Sequence, residues 1–343
     1  MSLREAIETA IRGDEVGEGL LEAAFGEIAD GKASPVAIAA LLVALRTKGE
    51  TDGEIVAIAR ALRSRAKTAR APDPRTVDTC GTGGDRAGTF NISTTAAFVV
   101  AGAGVPVAKH GNRAASSRAG SFDVLEALGV RIEIPVEAAA RLLEEIGIAP
   151  FFARIAHPAM AHVASVRREL GVRTVMNCMG PLLSPVGARR QLVGVYEPSL
   201  CTLLARALVS LGADAALVVH GCDGLDEITI TGPTRAVRAG GRFGRGQALE
   251  IDPRELGFEL APAEALRGGE VAENAAILRA VLEGERGPRR DVVLLNAAAA
   301  LWIADAAETL AEGVDRARES LDSGAARAKL EALVAATERA VVG

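Results

Sequence analysis

The hydrophobic period changes near residue 71, and this change constrains the fold more than any other feature of the chain. Before it, apolar residues such as Leu3 and Ile7 recur at helical spacing. After it, short apolar runs alternate with helical stretches, as they do where helices connect the strands of a sheet. An Ala-Pro-Asp-Pro segment between the two patterns is typical of a stiff linker. We therefore predict an α/β protein with a small all-helical N-terminal domain at residues 1–71 and a large domain with a central, mainly parallel sheet at residues 75–343.

Local signals place several elements within these domains. Ser34 before Pro35 predicts a helix start, and Gly49 predicts its end. Thr51 with Glu54 fits a capping box that opens a further helix. In the second domain we predict strands at 77–80, 105–108, 130–134, 150–153, 192–195, 215–220 and 227–231, helices at 199–211, 271–283 and 294–312, and a helical pattern at 158–183, while the runs at 94–103 and 123–128 belong to the same alternation.

Composition excludes several classes of function. The 343 residues carry a net charge of −5, and only 3% of them are aromatic. This balance offers no basic surface for duplex nucleic acid or for an anionic membrane. The N-terminus has no signal-peptide pattern, no apolar run is long enough to cross a bilayer, and the four cysteines show neither zinc nor C-x-x-C spacing. We therefore expect a cytoplasmic protein with reduced thiols and with no nucleic-acid or membrane partner.

A glycine-rich loop, Gly81-Thr-Gly-Gly-Asp85, follows the first predicted strand of the second domain. Parallel sheets bind ligands at the carboxyl ends of their strands, and glycines let backbone N–H groups approach an anion closely. The loop lacks the Gly-Lys-Ser/Thr of a nucleotide-binding loop, and Arg86 stands where a dinucleotide fingerprint has its third glycine. Two interpretations remain open from the loop alone: a phosphate site, or a tight turn between strand and helix.

Hydroxyl and amide side chains come next, just before an apolar run. Thr89, Asn91, Ser93 and Thr94 stand in this stretch, and Ser93 or Thr94 is predicted to be the N-cap of the following helix. A helix N-terminus attracts anions, and a hydroxyl group there can also ligate a metal ion carried by the anion. Capping alone is the alternative interpretation.

Two further clusters carry the charges that a metal-bound phosphate requires. Lys109-His-Gly-Asn-Arg113 supplies two cations, and Ser116 and Ser117 follow closely. Asp226-Glu227 come after a predicted strand and turn, and two carboxylates near a phosphate suit Mg²⁺, which takes its remaining ligands from substrate and water. Each cluster alone fits a solvated loop. Their combination predicts a phosphorylated substrate that arrives with a divalent metal ion.

Taken in order, these motifs resemble those of the anthranilate phosphoribosyltransferase family. The resemblance rests on residues 80–85, 91–94, 109–117, 157–160, 166–171 and 223–227, and it covers nearly the whole chain. It implies a small helical domain, with part of residues 158–190 packed on it, and a large α/β domain. It also implies a homodimer formed through the helical domains.

The family transfers the phosphoribosyl group of 5-phosphoribosyl 1-diphosphate (PRPP) to the amine of anthranilate, in the second step of tryptophan biosynthesis from chorismate. By position, the resemblance implies that PRPP contacts Gly81, Gly84, Asp85, Thr89, Asn91, Ile92, Ser93, Thr94, Lys109, His110, Gly111, Asn112, Arg113, Ala114, Ala115, Ser116, Ser117 and Ser121. Gly81, Asn112 and Arg167 would line the anthranilate site, with His110, His157 and Gly180 near it. Ser93, Asp226 and Glu227 would hold Mg²⁺, with two ions delivered on PRPP. No residue is assigned as an acid or base, because an aromatic amine is already neutral at pH 7.

Two alternatives differ from this assignment in motif and charge. A pyrimidine nucleoside phosphorylase has the same fold but carries a Lys-His-Ser-Thr-Gly-Gly loop, where this chain has Cys-Gly-Thr-Gly-Gly-Asp. A non-catalytic relative that binds nucleic acid is expected to have a basic surface and to lack Arg167 or the Asp226-Glu227 pair. This chain is acidic overall and has all three residues.

Overall fold

A computed structural model describes residues 2–114 and 118–342. The helices of these residues are α1 (Ser2–Ile11), α2 (Glu18–Ala29), α3 (Pro35–Lys48), α4 (Asp52–Arg63), α5 (Ile92–Gly102), α6 (Ser121–Ala127), α7 (Val136–Ile146), α8 (Ala153–Ala156), α9 (Ala161–Leu170), α10 (Met176–Leu182), α11 (Leu200–Ser210), α12 (Val271–Leu282), α13 (Pro288–Ile303), α14 (Leu310–Asp322) and α15 (Ala325–Val342). The strands are β1 (Val77–Gly81), β2 (Val107–Gly111), β3 (Ile148–Phe152), β4 (Arg190–Gly194), β5 (Ala215–Gly221), β6 (Thr234–Ala239) and β7 (Gln247–Ile251).

The first four helices begin and end where their sequence signals indicate. The Ser34 hydroxyl accepts the N–H of Ala37 at 3.2 Å and caps α3, which ends at Gly49. Thr51 and Glu54 form both bonds of a capping box at the start of α4. Such caps satisfy N–H groups that the first helical turn leaves without partners. These helix boundaries follow from residues a few positions apart in the chain.

The helical N-terminal part is a bundle that shares its apolar core with the sheet. Helix α1 packs on α3, α2 packs on α4, and α9 lies against both α2 and α3. The cluster of buried side chains runs from Phe25 in α2 through Val166 in α9 to Val193 and Val218 in the sheet. None of the described helices combines the length and the hydropathy that crossing a bilayer requires.

The sheet has seven strands in the order β3-β2-β1-β4-β5-β6-β7. Neighbouring strands from β3 to β5 are parallel, and β6 and β7 add an antiparallel edge. Helices α5 and α13 cover one face, and α11 with the helical bundle covers much of the other. A helical bundle joined to a mainly parallel sheet confirms the predicted fold class.

Two predicted strands are wrong, because their backbone groups bond to side chains instead of a neighbouring strand. Residues 130–134 do alternate buried and exposed side chains, but the N–H of Arg131 donates to Thr337 Oγ1. In residues 227–231, the N–H of Ile228 donates to Asn296 Oδ1 at 3.0 Å. At 130–134 the alternating pattern therefore predicted which side chains face the core, but in neither segment did it predict a strand partner.

The predicted helix at 294–312 is also wrong as a single element. Helix α13 begins earlier, at Pro288, and ends at Ile303. Asp305 has a φ of +54°, a left-handed conformation that no α-helix continues through. The hydroxyl of Thr309 then accepts the N–H of Glu312 and starts α14 as a separate helix.

Candidate active site

The candidate site lies where β1 and β2 reach their carboxyl ends, as a parallel sheet requires. The glycine-rich loop leaves β1 at Gly81 and runs beside the end of β4. The N–H of Thr82 donates to the carbonyl of Gly194 at 2.9 Å, and the Thr82 hydroxyl accepts the N–H of Tyr196 at 3.2 Å. These bonds fix the start of the loop on the sheet.

The loop closes over the side chain of Asp226, and glycine is what allows this approach. A Cβ atom on Gly81 would lie 2.6 Å from Asp226 Oδ2, so any other residue here would displace the Asp226 carboxylate. Gly83 and Gly84 have φ values of +64° and +82°, which glycine adopts without strain. The N–H of Gly83 donates to Asp226 Oδ2 at 2.8 Å, and the carbonyl of Gly84 accepts from Arg173.

Asp85, at the end of this loop, lies near Asp226 and Glu227, and we call these three carboxylates the carboxylate cluster. Burial, together with the charges of Asp85 and Glu227, holds the pKa of Asp226 well above its usual range. Burial also raises the pKa of Glu227 to about 7, while the charge of Lys109 acts in the opposite direction. Like charges in a confined place disfavour ionisation, and a cation relieves that repulsion.

This donor set fits a divalent cation carried by a ligand. Carboxylate oxygens suit Mg²⁺, which binds one or two of them together with substrate phosphates and water. Among residues 2–114 and 118–342, no three His, Cys, Asp or Glu side chains are arranged to enclose a metal ion on their own. Burial and the neighbouring carboxylates both raise the pKa values of Asp226 and Glu227, and a bound cation would offset both effects.

Helix α5 begins directly beside Glu227. The N–H of Ser93 donates to Glu227 Oε1 at 3.1 Å, so a carboxylate 134 residues away satisfies this helix start. The prediction that Ser93 or Thr94 is the N-cap is wrong, because the helix begins at Ile92 and Asn91 is the capping position. Ile92 and Thr94 are instead buried residues of the first turn of α5.

Asn91 and Thr89 connect the start of α5 to residues far from it in the chain. The Asn91 amide donates to the carbonyl of Ala119 and its Oδ1 accepts from Asn274 at 3.1 Å. Thr89 forms an isolated antiparallel bridge with Arg267. Both residues therefore link the segment between the glycine-rich loop and α5 to residues 267–274.

Lys109 reaches the same place from β2. Its side chain is 4% exposed, and Nζ donates to the carbonyl of Thr79 and lies 3.5 Å from Ser93 Oγ. Its charge is close enough to lower the pKa of Glu227. The structure therefore brings together Lys109, Ser93 and Glu227, which the sequence placed in three separate motifs.

Arg113 does not join this group. Its guanidinium forms bonds of 2.8 Å to both carboxylate oxygens of Glu126 and one of 3.0 Å to Glu133. It also lies over the Phe152 ring, 5.1 Å from the centroid. The bonds to Glu126 are the main reason that its pKa is raised. In this structure the Nε and Nη2 groups of Arg113 are bound to Glu126 and Glu133 and do not face the carboxylate cluster's partners Lys109 and Ser93.

The loop after β2 is held by backbone contacts and by Asp123. The carboxylate of Asp123 accepts the N–H of Ala114 at 2.7 Å. The carbonyl of Asn112 accepts from Ser121, and a Cβ atom on Gly111 would lie 2.7 Å from Ser121 Oγ. The predicted ligands Ala115, Ser116 and Ser117 lie outside the described residues.

A second, uncharged region adjoins β2. The rings of His110 and His157 meet edge to face with centroids 5.1 Å apart, and both side chains are buried. Burial lowers the pKa of His110 to about 3 and that of His157 to about 4. The carbonyl of Gly180 in α10 lies against His110 and acts in the opposite direction. Both imidazoles are therefore neutral at pH 7, and we call this pair the histidine region.

Arg167 extends from α9 and is half-buried. Within the described part of the chain, its guanidinium has neither an ion pair nor a hydrogen-bond partner. Burial lowers the pKa of this group, although an arginine stays charged at pH 7. A partly buried cation without a protein anion is suited to a ligand carboxylate.

Sequence reasoning missed two contributors to the site. Arg173 contacts the loop at Gly84, and its guanidinium lies 4.0 Å from the centroid of the Tyr196 ring. Asp78 is fully buried within β1. A charged residue between Val77 and Thr79 in an apolar strand was a signal that could have identified Asp78. The contact of Arg173 with a loop 89 residues earlier had no comparable signal.

Comparison with known proteins first defines the class. Residues 4–66 match the helical bundle domain of the glycosyl transferase family, and residues 73–327 match the α/β domain of that family. The chain is therefore a glycosyl transferase of the class in which a helical bundle is joined to an α/β domain.

Individual relatives then define the family. The chain is 55% identical to the anthranilate phosphoribosyltransferase of Rubrobacter xylanophilus over 98% of both chains. The crystal structure of anthranilate phosphoribosyltransferase from Thermus thermophilus has a TM-score of 0.92 and 48% identity, covering 97% of this chain and 99% of that one. The Saccharomyces cerevisiae enzyme in complex with PRPP and Mg has a TM-score of 0.89 and 26% identity, covering 98% of both. This chain belongs to the anthranilate phosphoribosyltransferase family.

Proposed function

We propose that the cleft at the carboxyl ends of β1 and β2 is where this enzyme transfers the phosphoribosyl group of PRPP to the amine of anthranilate. One observation carries the assignment. Asp226 accepts the N–H of Gly83 and Glu227 accepts the N–H of Ser93, so two adjacent carboxylates tie the glycine-rich loop to the start of α5. Lys109 lies against the same helix start.

The diphosphate of PRPP binds on this side of the cleft, which we call the diphosphate side. Its ligands are the predicted residues Gly81, Gly84, Asp85, Thr89, Asn91, Ile92, Ser93, Thr94, Lys109, His110, Gly111, Asn112, Arg113, Ala114, Ala115, Ser116, Ser117 and Ser121. Ser93, Asp226 and Glu227 hold two Mg²⁺ ions that arrive with the substrate. The complex of the yeast relative with PRPP and Mg supports PRPP and magnesium as the ligands of this side.

Anthranilate binds on the other side, which we call the acceptor side. Arg167 pairs with its carboxylate, and Gly81 and Asn112 line the position of the amine. The neutral rings of His110 and His157, with Gly180, offer an uncharged wall to an aromatic ring. The complex of the yeast relative with 4-fluoroanthranilate supports an aromatic acceptor.

The reaction needs charge stabilisation and alignment more than proton transfer. As the bond between ribose C1 and the diphosphate breaks, negative charge grows on the leaving group, and the Lys109 ammonium lies where it can stabilise that charge. Bound Mg²⁺ supplies further positive charge to the same oxygens. Arg167 aims the neutral amine at C1, and such positioning lowers the entropic part of the barrier.

The surface of the helical part suits a homodimer. Ile11 on α1, with Val36 and Val43 on α3, are large apolar side chains that face solvent. Val36 and Val43 are seven residues apart and so share one face of α3, and exposed apolar side chains on one face are typical of a protein interface. A dimer formed through these helices, in the cytoplasm, completes the proposal.

The direct test is to incubate the protein with PRPP, MgCl₂ and anthranilate and to follow the fluorescence of anthranilate. We expect the fluorescence to fall at a rate proportional to enzyme concentration. Matched reactions with ribose 5-phosphate in place of PRPP, or with EDTA, should show no change. A complete reaction that leaves anthranilate unchanged, while the same protein cleaves a pyrimidine nucleoside with phosphate, would overturn the proposal.

A further inference from the structure

The two strands that carry the candidate site are joined over only part of their length. Strand β1 pairs with β4 over five residues, and β2 pairs with β3 over five. Between β1 and β2, both of which are fully described, the register holds one pair, Val77 with Val107. The two strands still lie side by side, but the regular ladder between them is interrupted from the next residue to the site.

Where the ladder is interrupted, side chains form hydrogen bonds with the backbone groups of the two strands. A regular parallel register would place Thr79 beside Lys109, and the Thr79 carbonyl would accept the N–H of His110. Instead, that N–H donates to Asp78 Oδ1 at 3.2 Å, and the Thr79 carbonyl accepts from Lys109 Nζ. Each half of the missing bond is satisfied by a charged side chain.

Burying the Asp78 carboxylate in a central strand lowers the stability of the fold. Its side chain is fully buried, and burial raises its pKa to about 6. The charge of Lys109, the N–H of His110 and the thiol of Cys80 lower the pKa only in part. An apolar residue in a central strand would avoid this cost, because a buried carboxylate loses more hydration than its partners replace. The bond from the N–H of His110 therefore explains Asp78 better than a contribution to folding stability does.

We infer that Asp78 is a positioning residue that sets both sides of the proposed active site. By accepting the N–H of His110, it interrupts the ladder between β1 and β2 and leaves the Thr79 carbonyl to Lys109. The Lys109 ammonium then lies 3.5 Å from Ser93 Oγ on the diphosphate side. The His110 ring lies against His157 on the acceptor side. The inference deepens the proposed function and rests on it for the identity of the two substrates.

Asp78→Ala and Asp78→Asn separate this role from a purely structural one. Alanine removes the acceptor, so the N–H of His110 turns to the Thr79 carbonyl and displaces Lys109. We expect kcat/KM for PRPP to fall about 100-fold, as expected for a misplacement of about 1 Å. Asparagine keeps an acceptor oxygen in the same place and should lose less than about 10-fold.

Two variants serve as controls for Asp78→Ala: one matches its place in the chain, and the other matches its expected loss of stability. Thr76→Val, just before β1, removes a buried hydroxyl that has no partner among the described residues, and it should leave kcat/KM unchanged. Val218→Ala in β5 leaves a cavity in the sheet and lowers the Tm. It should retain kcat/KM even where its Tm equals that of Asp78→Ala. Equal loss of activity in Val218→Ala and Asp78→Ala would overturn the inference.

The backbone amide of His110 gives a readout that does not depend on turnover. In ¹⁵N-labelled protein, its proton shift should change in Asp78→Ala and stay near the wild-type value in Asp78→Asn. An unchanged shift in Asp78→Ala would overturn the inference even if PRPP and anthranilate react normally. If the shift changes as expected but the wild-type enzyme does not convert anthranilate, Asp78 still positions Lys109 and His110, and the proposed substrates are wrong.

Discussion

The carboxylate cluster and the histidine region both adjoin the end of β2, and burial acts on the two with opposite results. At Asp226 and Glu227, burial and neighbouring carboxylates raise the pKa, so the anions are strained at neutral pH. At His110 and His157, burial lowers the pKa, so the rings are neutral without strain. In the proposed function, a cation binds at the first region and an uncharged ring binds at the second. The cleft therefore distinguishes the two ends of its proposed reaction through charge.

The largest expected effect comes from neutralising the carboxylate cluster. In Asp226→Asn/Glu227→Gln, we expect turnover with Mg²⁺ to fall about 1000-fold, because a preorganised electrostatic contribution is lost. Stability should change in the opposite direction. A carboxyl group with a raised folded pKa loses stability as pH rises from its unfolded pKa of about 4.5 through about 7, so the variant should have a higher Tm than the wild type at pH 8 without ligand.

Glu250→Gln is the matched control for this prediction, because Glu250 is an exposed carboxylate on β7. It should alter neither turnover nor Tm. A double variant that keeps its dependence on Mg²⁺ would show that the metal binds elsewhere. A lower Tm at pH 8 would show that the carboxylates are not strained in the free enzyme.

Arg167 tests the acceptor side of the comparison. In Arg167→Ala, we expect the KM for anthranilate to rise about 100-fold, because a charge-assisted pair with the ligand carboxylate is lost. The KM for PRPP should change less than about threefold, since the two sides bind different groups. Steady-state kinetics with each substrate varied in turn measure both values. Arg168→Ala, on the exposed side of the same helix, should change neither. A larger rise for PRPP than for anthranilate would exclude the proposed role.

His157 gives the smallest effect, and it appears in stability. A histidine with a lowered folded pKa loses stability as pH falls from about 6.5 through about 4, because the unfolded chain takes up the proton first. Between pH 8 and pH 5, the free energy of unfolding of the wild type should fall by about 2 kcal/mol relative to His157→Phe, which cannot take up that proton. Urea unfolding at the two pH values measures the difference.

His162→Gln is the control for this measurement, since His162 is exposed on α9 and the variant also lacks one imidazole. It should follow the wild type at both pH values. Parallel behaviour of His157→Phe and the wild type would mean that His157 is not buried as a neutral ring in solution.

The chain order of motifs predicted the fold class because its signals are local. The cap at Ser34 and the box at Thr51 and Glu54 involve residues three positions apart, and a short backbone segment satisfies them by itself. The glycine-rich loop was likewise recognisable, because tight backbone near a ligand requires glycine. The strands predicted at 130–134 and 227–231 are wrong because a strand needs a neighbouring strand. The alternation of apolar and polar residues describes one segment and carries no information about its neighbour.

The sequence by itself determined the helical and α/β patterns, the loop and the kinds of charged groups available to the site. Only the tertiary structure decided how those groups are paired. It joined Ser93 to Glu227 across 134 residues and gave Arg113 to Glu126. It also placed Asp78 where the ladder between β1 and β2 is interrupted. These pairings depend on which strands lie side by side, and packing of the whole chain sets that order, because contacts between distant residues become favourable only after the loop-closure entropy is met.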